Sequence, residues 1–349
     1  MFRGIATSDW HLMGMTKVLG ANASKIQLNE IRKIYEYAVS NGIKHVVSPG
    51  DITDNPNMDD STFIQLLQFL LEWDSKVKTY YLVGNHDWEH RDKSSLDVLK
   101  VLAENGVFKN FRIFYQPKII PIDGVLCAFL PFPHLDVPKS KKFPELGRLI
   151  FAHIEVQGAI GDNGRPLKTG HLDKLKYTDK DYVISGHIHQ HQILKQKRFT
   201  YIGSPYQKNF GESLPKGFIE FQAKNTNEGL KVKTEFVDNH PSFILKNVVI
   251  KEQSDWNLLE KDTTIKYKIH VDKNSDVVIP KNIMTDFPNI VHLSGFDSTK
   301  VKNADTIKVS DIPKINMKTG LSMLLKKEGF SKSQIKMARE MVQEAISSL

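Results

Sequence analysis

Thr79-Tyr80-Tyr81-Leu82-Val83-Gly84-Asn85-His86-Asp87 is the stretch around which the chain is organised. The apolar run reads as a buried strand, and it stops in a glycine turn that carries an amide, an imidazole and a carboxylate in succession. Such groups ligate metal ions and move protons, and a turn after a strand places them at a sheet edge. Taken alone, Asn-His-Asp in a turn reads as a hydrogen-bonded turn. Its neighbours change that reading.

The same rhythm surrounds it. Phe2 to Thr7 reads as a strand ending at Ser8-Asp9-Trp10-His11, followed by helical spacing from Asn22 to Ser40 with Asn41-Gly42 as the stop. Lys44 to Ser48 is a second strand, ending in Pro49-Gly50-Asp51, and Ser61 to Trp73 a second helix. A third helix is predicted over Ser94 to Glu104. Strands alternating with helices imply parallel strands with right-handed crossovers, and ligands in such sheets sit beyond the carboxyl ends of the strands. From Phe111 the pattern is richer in strands: Arg112 to Phe114, Lys118 to Ile122, Val125 to Leu130, and Leu149 to Ala152, which delivers His153. A glycine-rich loop, Gly158 to Gly170, precedes Asp181 to Ser185, which delivers Gly186-His187-Ile188-His189; Phe199 to Ile202 and Gly217 to Phe221 complete the second set. The expected fold class is α/β, a sandwich of two sheets with helices outside.

The motif-bearing region ends near His240-Pro241, so residues 1–241 are expected to form one domain. Residues 242–313 read as a small α+β domain and 314–349 as a helix pair, Gly320 to Glu328 and Ser331 to Ser348, with Ser331 and Gln334 in capping-box register. A 349-residue chain with 40% hydrophobic and 25% charged residues has ample material for a globular core. Cys127 is the single cysteine, which excludes a disulfide framework and a thiolate zinc cluster. No apolar run is long enough to span a bilayer, and Met1 runs straight into the first motif, so a cytoplasmic protein with no membrane association is expected. A net charge of +8 favours a polyanionic partner.

Five strand ends therefore carry one kind of chemistry: Asp9 with His11, Asp51, Asn85-His86-Asp87, His153, and His187 with His189. In an extended segment, alternate side chains share a side, so each Asp-x-His or His-x-His pair can face one ion. Carboxylate, imidazole and amide oxygen without thiolate suit Mn²⁺, Fe²⁺ or Zn²⁺. Seven candidate ligands (Asp9, His11, Asp51, Asn85, His153, His187, His189) exceed the need of one ion, and two ions about 3.5–4 Å apart sharing a carboxylate fit the count. Asp51 is the natural bridge.

The ordered series Asp-x-His, Gly-Asp, Gly-Asn-His-Asp, His and Gly-His-x-His resembles that of the calcineurin-like metallophosphoesterases. The resemblance implies a sandwich of two mixed sheets flanked by helices and two divalent ions per chain, Mn²⁺ first, with Mg²⁺, Fe²⁺ and Zn²⁺ as alternatives. It assigns Asp9, His11, Asp51 and His189 to one ion, and Asp51, Asn85, His153 and His187 to the other. It makes His86 the catalytic imidazole that stabilises the phosphorane or protonates the leaving oxygen, with Asp87 orienting His86 or capping the turn. Tyr201-Ile202-Gly203-Ser204-Pro205-Tyr206, Asn209-Phe210-Gly211-Glu212 and the 158–170 loop narrow the resemblance to the Mre11/SbcD family of DNA double-strand-break nucleases, in a bacterial or phage form. That implies manganese-dependent 3'-to-5' exonuclease and single-strand endonuclease activity, and a homodimer formed through Ser61 to Trp73 and Ser94 to Glu104. It also implies a Rad50/SbcC-type ATPase docked on the C-terminal helix pair. Arg165, Lys168, Tyr206 and Phe210 are the candidate DNA contacts. Asp54 stands where some members carry His, which argues against a phosphate contact there and leaves open a role orienting a metal histidine. A phosphatase or small-molecule phosphodiesterase of the same superfamily, and a non-catalytic DNA-end scaffold, are the alternatives.

Overall fold

The computed structural model of the chain describes residues 1–90, 93–134, 147–170, 177–272 and 274–295; the expected helix pair at 320–348 lies outside them. Strand β1 (Phe2–Ala6) leads through a single helical turn α1 (Thr16–Leu19) into α2 (Ala23–Ser40), and β2 (His45–Pro49) into α3 (Asp60–Asp74). Helix α2 stops where Gly42 takes φ +64°, and α3 starts at Asp59, whose Oδ1 accepts from Thr62 N at 2.8 Å. Strand β3 (Lys78–Leu82) is followed by a hairpin, β4 (Trp88–His90) with β5 (Lys93–Ser94), and then α4 (Asp97–Glu104). The helix predicted from Ser94 thus begins three residues later. Ser94 lies in β5, and its N–H donates to Asp97 Oδ2 at 3.0 Å in the turn that follows.

The remaining strands of the first unit are β6 (Phe111–Phe114), β7 (Lys118–Ile122), β8 (Val125–Leu130), β9 (Arg148–His153), β10 (Tyr182–Gly186), β11 (Gln192–Leu194), β12 (Phe199–Tyr201), β13 (Gly217–Thr226) and β14 (Gly229–Asp238). Two six-stranded sheets result, in the orders β14-β13-β1-β2-β3-β6 and β11-β12-β10-β9-β8-β7. Within them β1-β2-β3-β6 run parallel, as do β8-β9-β10-β12; antiparallel strands close both edges of the second sheet and one edge of the first, whose other edge is the parallel β6. The expected α/β sandwich of mixed sheets is therefore the fold.

Alternation along the strands divides the core into three layers. Ala6, Val47 and Leu82 point between the sheets, where they meet Cys127, Phe129, Phe151 and Ile184. Their chain neighbours Ile5, Val46 and Tyr81 point the other way, against Ile31, Ile34, Leu66 and Phe69 of the helices. On the outer face of the second sheet, Ile150, Ala152 and Val183 are covered by Ile154, Val156 and Ile188 from the loops. Strand β14 went unread in the sequence because its outward side is Lys231, Lys233 and Glu235, so its pattern is polar. It holds its place by a ten-residue antiparallel register with β13.

The chain divides into two compact units, residues 1–247 with 262–268, and residues 248–261 with 269 onward. Strands β15 (Ile244–Ile250), β16 (Ile265–Val271) and β17 (Ile290–Ser294) form a three-stranded sheet in that order, with α5 (Ile283–Asp286) as a single turn before β17. Among the described residues, no helix is long and apolar enough to cross a membrane.

The layer between the sheets holds the sandwich together, so truncation there is costly. Phe151 is fully buried and stacks on Phe129 with ring centroids 5.4 Å apart. Phe151→Ala is expected to lower unfolding stability by about 3–5 kcal/mol, measured by urea denaturation.

Candidate metal centre

Every candidate ligand lies just past the carboxyl end of a parallel strand: Asp9 and His11 after β1, Asp51 after β2, Asn85 after β3, His153 at the end of β9, and His187 and His189 after β10. The backbone must turn sharply there to bring five chain segments to one point. Asp9, His11, Asp51 and His187 all take the left-handed region, with φ of 56°, 44°, 56° and 90°. Such strain persists only where surrounding contacts enforce it, and it gathers at functional sites. Glycine is required at the closest approaches. A Cβ on Gly84 would lie 2.2 Å from Asp51 Oδ1, and one on Gly50 would lie 2.4 Å from His153 Nδ1.

Three groups of potential ligand atoms form, each within 4.8 Å: Asp9 with His11 and His189, Asp51 with His153 and His187, and His11 with Asp54 and His86; the first two consist of candidate ligands alone. Asp51 Oδ2 joins them, lying 3.5 Å from His11 Nε2 and 3.2 Å from His153 Nε2. Asn85 Oδ1 sits 2.8 Å from His153 Nε2 and 3.1 Å from His187 Nδ1. Each imidazole is held from behind by an acceptor. His11 Nδ1 lies 3.1 Å from Asp54 Oδ1, His153 Nδ1 2.8 Å from the Pro49 carbonyl, His187 Nε2 3.4 Å from Glu155, and His189 Nδ1 2.9 Å from Glu212. This is the outer hydrogen bonding that fixes the tautomer of a metal-ligating histidine and leaves the other nitrogen for the ion.

The fit to a cation shows most directly at His11. Burial pushes this imidazole down to about 4, with the Lys208 charge acting in the same direction, so the ring is neutral. With Nδ1–H on Asp54, the buried Nε2 carries a lone pair and has no hydrogen-bond partner. That lone pair faces Asp51 Oδ2 at 3.5 Å and Asp9 Oδ1 at 4.0 Å. A lone pair against two carboxylates is repulsive unless a cation lies among them. Oxygen and imidazole donors without sulfur suit Mn²⁺, Fe²⁺ or Zn²⁺. At the second group burial would lower His153, but the charge and hydrogen bond of Asp51 outweigh it and raise the imidazole to about 9. Against its own burial cost, Asp51 is held well below the usual carboxylate range by His153 and His11.

Asp54 stands behind His11, the orienting position that the sequence left open. Asp87 does not orient His86. Its Oδ2 accepts from Gly84 N at 2.8 Å and Asp51 N at 3.1 Å, and its Oδ1 from Thr53 N at 2.9 Å and Thr53 Oγ1 at 3.0 Å. The carboxylate is a buried clasp between two metal-bearing turns, which matches the turn-capping alternative. Burial and the charge of Asp51 push it up to about 6 despite these donors. His86 is instead oriented by the Asp54 carbonyl, 2.7 Å from its Nδ1, while His86 N donates to Asp51 Oδ1 at 2.9 Å.

Tyr206 is corrected as a DNA contact. It is 0% exposed, and its hydroxyl donates to the Trp10 carbonyl, bracing the first ligand loop. Phe210 is half-buried and packs against the helix-side core, whereas Arg165 and Lys168 are exposed. Sequence reasoning missed Glu212, Asp162 and Glu155 as imidazole partners, and Lys208, whose Nζ donates to the Asp9 carbonyl at 3.2 Å. Glu212 closes a recognisable motif, but its spacing from His189 carries no local signal of their contact.

Because His153 holds a proton up to about pH 9 when paired with Asp51, metal entry must displace it. Binding of Mn²⁺ at pH 7 is expected to release about one proton, and apparent affinity to rise by up to about tenfold per pH unit below that value. Calorimetry in buffers of different ionisation heat measures the proton directly; no release would mean a neutral His153.

A family model for calcineurin-like phosphoesterases matches residues 2–191, a span that contains all seven candidate ligands. The SbcD component of the SbcCD nuclease of Staphylococcus saprophyticus is 23% identical over 296 residues, covering 76% of this chain and 75% of that protein. Putative phosphoesterase 078R of Invertebrate iridescent virus 3 is 24% identical over 253 residues (68% and 69% covered). Putative phosphoesterase 244L of Invertebrate iridescent virus 6 is 27% identical over 230 residues (59% and 76%). The family match spans more than half of the chain and falls on the strand ends that build the centre, so this chain belongs to the calcineurin-like phosphoesterases and is a metal-dependent phosphodiesterase.

Proposed function

We propose that the phosphodiester this enzyme cuts is DNA, with Mn²⁺ as the working metal, in 3'-to-5' exonuclease and single-strand endonuclease modes beside a Rad50/SbcC-type ATPase in the cytoplasm. The observation that carries a two-ion reading is Asp51 Oδ2, which lies between the inner nitrogens of His11 and His153 at 3.5 and 3.2 Å. Asp9, His11, Asp51 and His189 would hold one ion, and Asp51, Asn85, His153 and His187 the other. When bound, the two ions supply Lewis acidity, neutralising phosphate charge and making a nucleophile of water at neutral pH.

The chain's own groups do the rest. His86 is exposed beside His11, with ring centroids 4.6 Å apart, so it reaches solvent and substrate from the edge of the centre. Its Nδ1–H donates to the Asp54 carbonyl at 2.7 Å, which fixes the ring and leaves Nε2 as the atom that would pass a proton to the leaving oxygen. Asp87 positions Asp51 and the 84–87 turn by its buried hydrogen bonds. Arg165 and Lys168, on the exposed 158–170 loop, are the remaining proposed DNA contacts, and the +8 charge favours a polyanion.

A second copy of the chain is the proposed partner of α3 and α4. Ile64 and Leu71 on α3 are 51% and 47% exposed, and Val98 and Val101 on α4 are each 54% exposed. Such apolar stripes suit a shared helical interface. The three-part division at residues 241 and 313, with the ATPase docked on 314–349, completes the reading.

Linear duplex DNA and a phosphomonoester, each in Mn²⁺, test the substrate: DNA cleavage is expected, and strong monoester turnover with inert DNA would overturn the reading. His86→Ala is expected to slow DNA cleavage by about 10²- to 10⁴-fold while Mn²⁺ affinity, read by calorimetry, stays unchanged. Leu71→Lys combined with Val101→Lys is expected to convert a dimer to monomer in sedimentation.

A further inference from the structure

Behind His189 lies a cavity of about 630 Å³, between the 158–170 loop and the segment 209–216. Its volume falls within the about 300–1,000 Å³ of small-molecule sites. Glu212 and Asp162 line it, and these are the two carboxylates that hold His189 Nδ1, at 2.9 and 3.1 Å. One imidazole ring therefore separates the cavity from the ion that His189 would ligate.

The lining says what kind of group fits. Lys216 is 2% exposed, and its ammonium is spent on Glu212 Oε2 at 2.6 Å and the His189 carbonyl at 2.8 Å. The floor is thus a closed ion pair and offers no cation to a phosphate, while the Asp162 carboxylate repels one. What remains is neutral and polar: the amides of Asn163, Gln190 and Asn209 and the hydroxyl of Ser213. Ser213 Oγ donates to Gln190 Oε1 at 2.8 Å, and Asn209 Nδ2 donates to Glu212 Oε1 at 3.0 Å. An amide carries two donor hydrogens and an oxygen with two lone pairs, so each retains capacity after these bonds. Amides and hydroxyls are among the groups that pair with base edges. Ile160, 41% exposed at the rim, adds an apolar surface for a ring.

We infer that this cavity seats the nucleoside on one side of the scissile phosphate, so that the enzyme reads one uncharged base and sugar beside the metal centre. The inference rests on that centre cutting a nucleic-acid phosphodiester. Several amides able to turn either end to a base would accept all four bases, which suits an enzyme that removes nucleotides without regard to sequence.

The test uses the Mn²⁺-loaded full chain hydrolysing bis(p-nitrophenyl) phosphate, with deoxyadenosine 5'-monophosphate and deoxyribose 5-phosphate as inhibitors. Each protein is compared with its own uninhibited rate. The wild type is expected to be inhibited by the nucleotide at a concentration at least about tenfold lower, one good base contact being worth about 1–3 kcal/mol. Ser213→Trp, which fills the cavity, is expected to remove that difference. Gln190→Ala, a smaller change should the first variant fail to fold, is expected to reduce it several-fold. Equal inhibition of the wild type by both compounds, or an undiminished difference in Gln190→Ala and any folded Ser213→Trp protein, overturns the inference. A wild type that prefers the nucleotide yet leaves linear DNA uncut would retain the cavity's role and discard DNA as the substrate.

Discussion

Everything at the centre depends on the crowding of lone pairs around Asp51. Its Oδ2 faces the inner nitrogens of two histidines from opposite sheets, and its Oδ1 takes the N–H of His86. Without a cation, one half of this arrangement is relieved by a proton on His153 and the other half is not relieved at all, since His11 is neutral and its Nε2 has no partner. A buried polar atom left in that condition costs about 1–3 kcal/mol. A divalent ion held among these atoms would relieve it.

Holding such a group in place takes a supporting layer of comparable precision. Asp87 ties Gly84, Asp51 and Thr53 together through four donors, and Tyr206 clamps the turn at Trp10 from beneath. Four ligands sit in left-handed backbone that their side chains disfavour. Gly50 and Gly84 let the chain pass where a single methyl group would displace a ligand. Rigidity here comes from strain that is contained by hydrogen bonds, rather than from any regular element.

The ligand turns were legible in the sequence because each interrupts a strongly apolar strand, and the interruption itself is the signal. Strands with a polar outward side were not: β14 alternates lysine and glutamate with modest apolar residues, and only pairing with β13 gives it a place. The hairpin after Asp87 was hidden because its strands have two and three residues, too short to show a period. Tyr206 was misassigned, and Asp87 left between two readings, for a related reason. A local pattern shows that a carboxylate follows a histidine, or an aromatic follows a proline, but not which way the side chain turns. Burial decided both cases, and burial is a property of the assembled sheets. Glu212 and Lys208 reach the centre from a loop about twenty residues beyond His189, a distance over which sequence carries no geometric information.

The seven candidate ligands come from both halves of the sandwich: Asp9, His11, Asp51 and Asn85 follow strands of one sheet, and His153, His187 and His189 lie at or beyond the ends of strands of the other. A pair of metal ions held at that seam would be a rivet through two plates. A chain whose single cysteine can form no internal disulfide would gain a cross-link there. Chemistry and mechanical closure would then share the same atoms, so that the strand ends doing the cutting are also those that keep the two sheets from sliding apart.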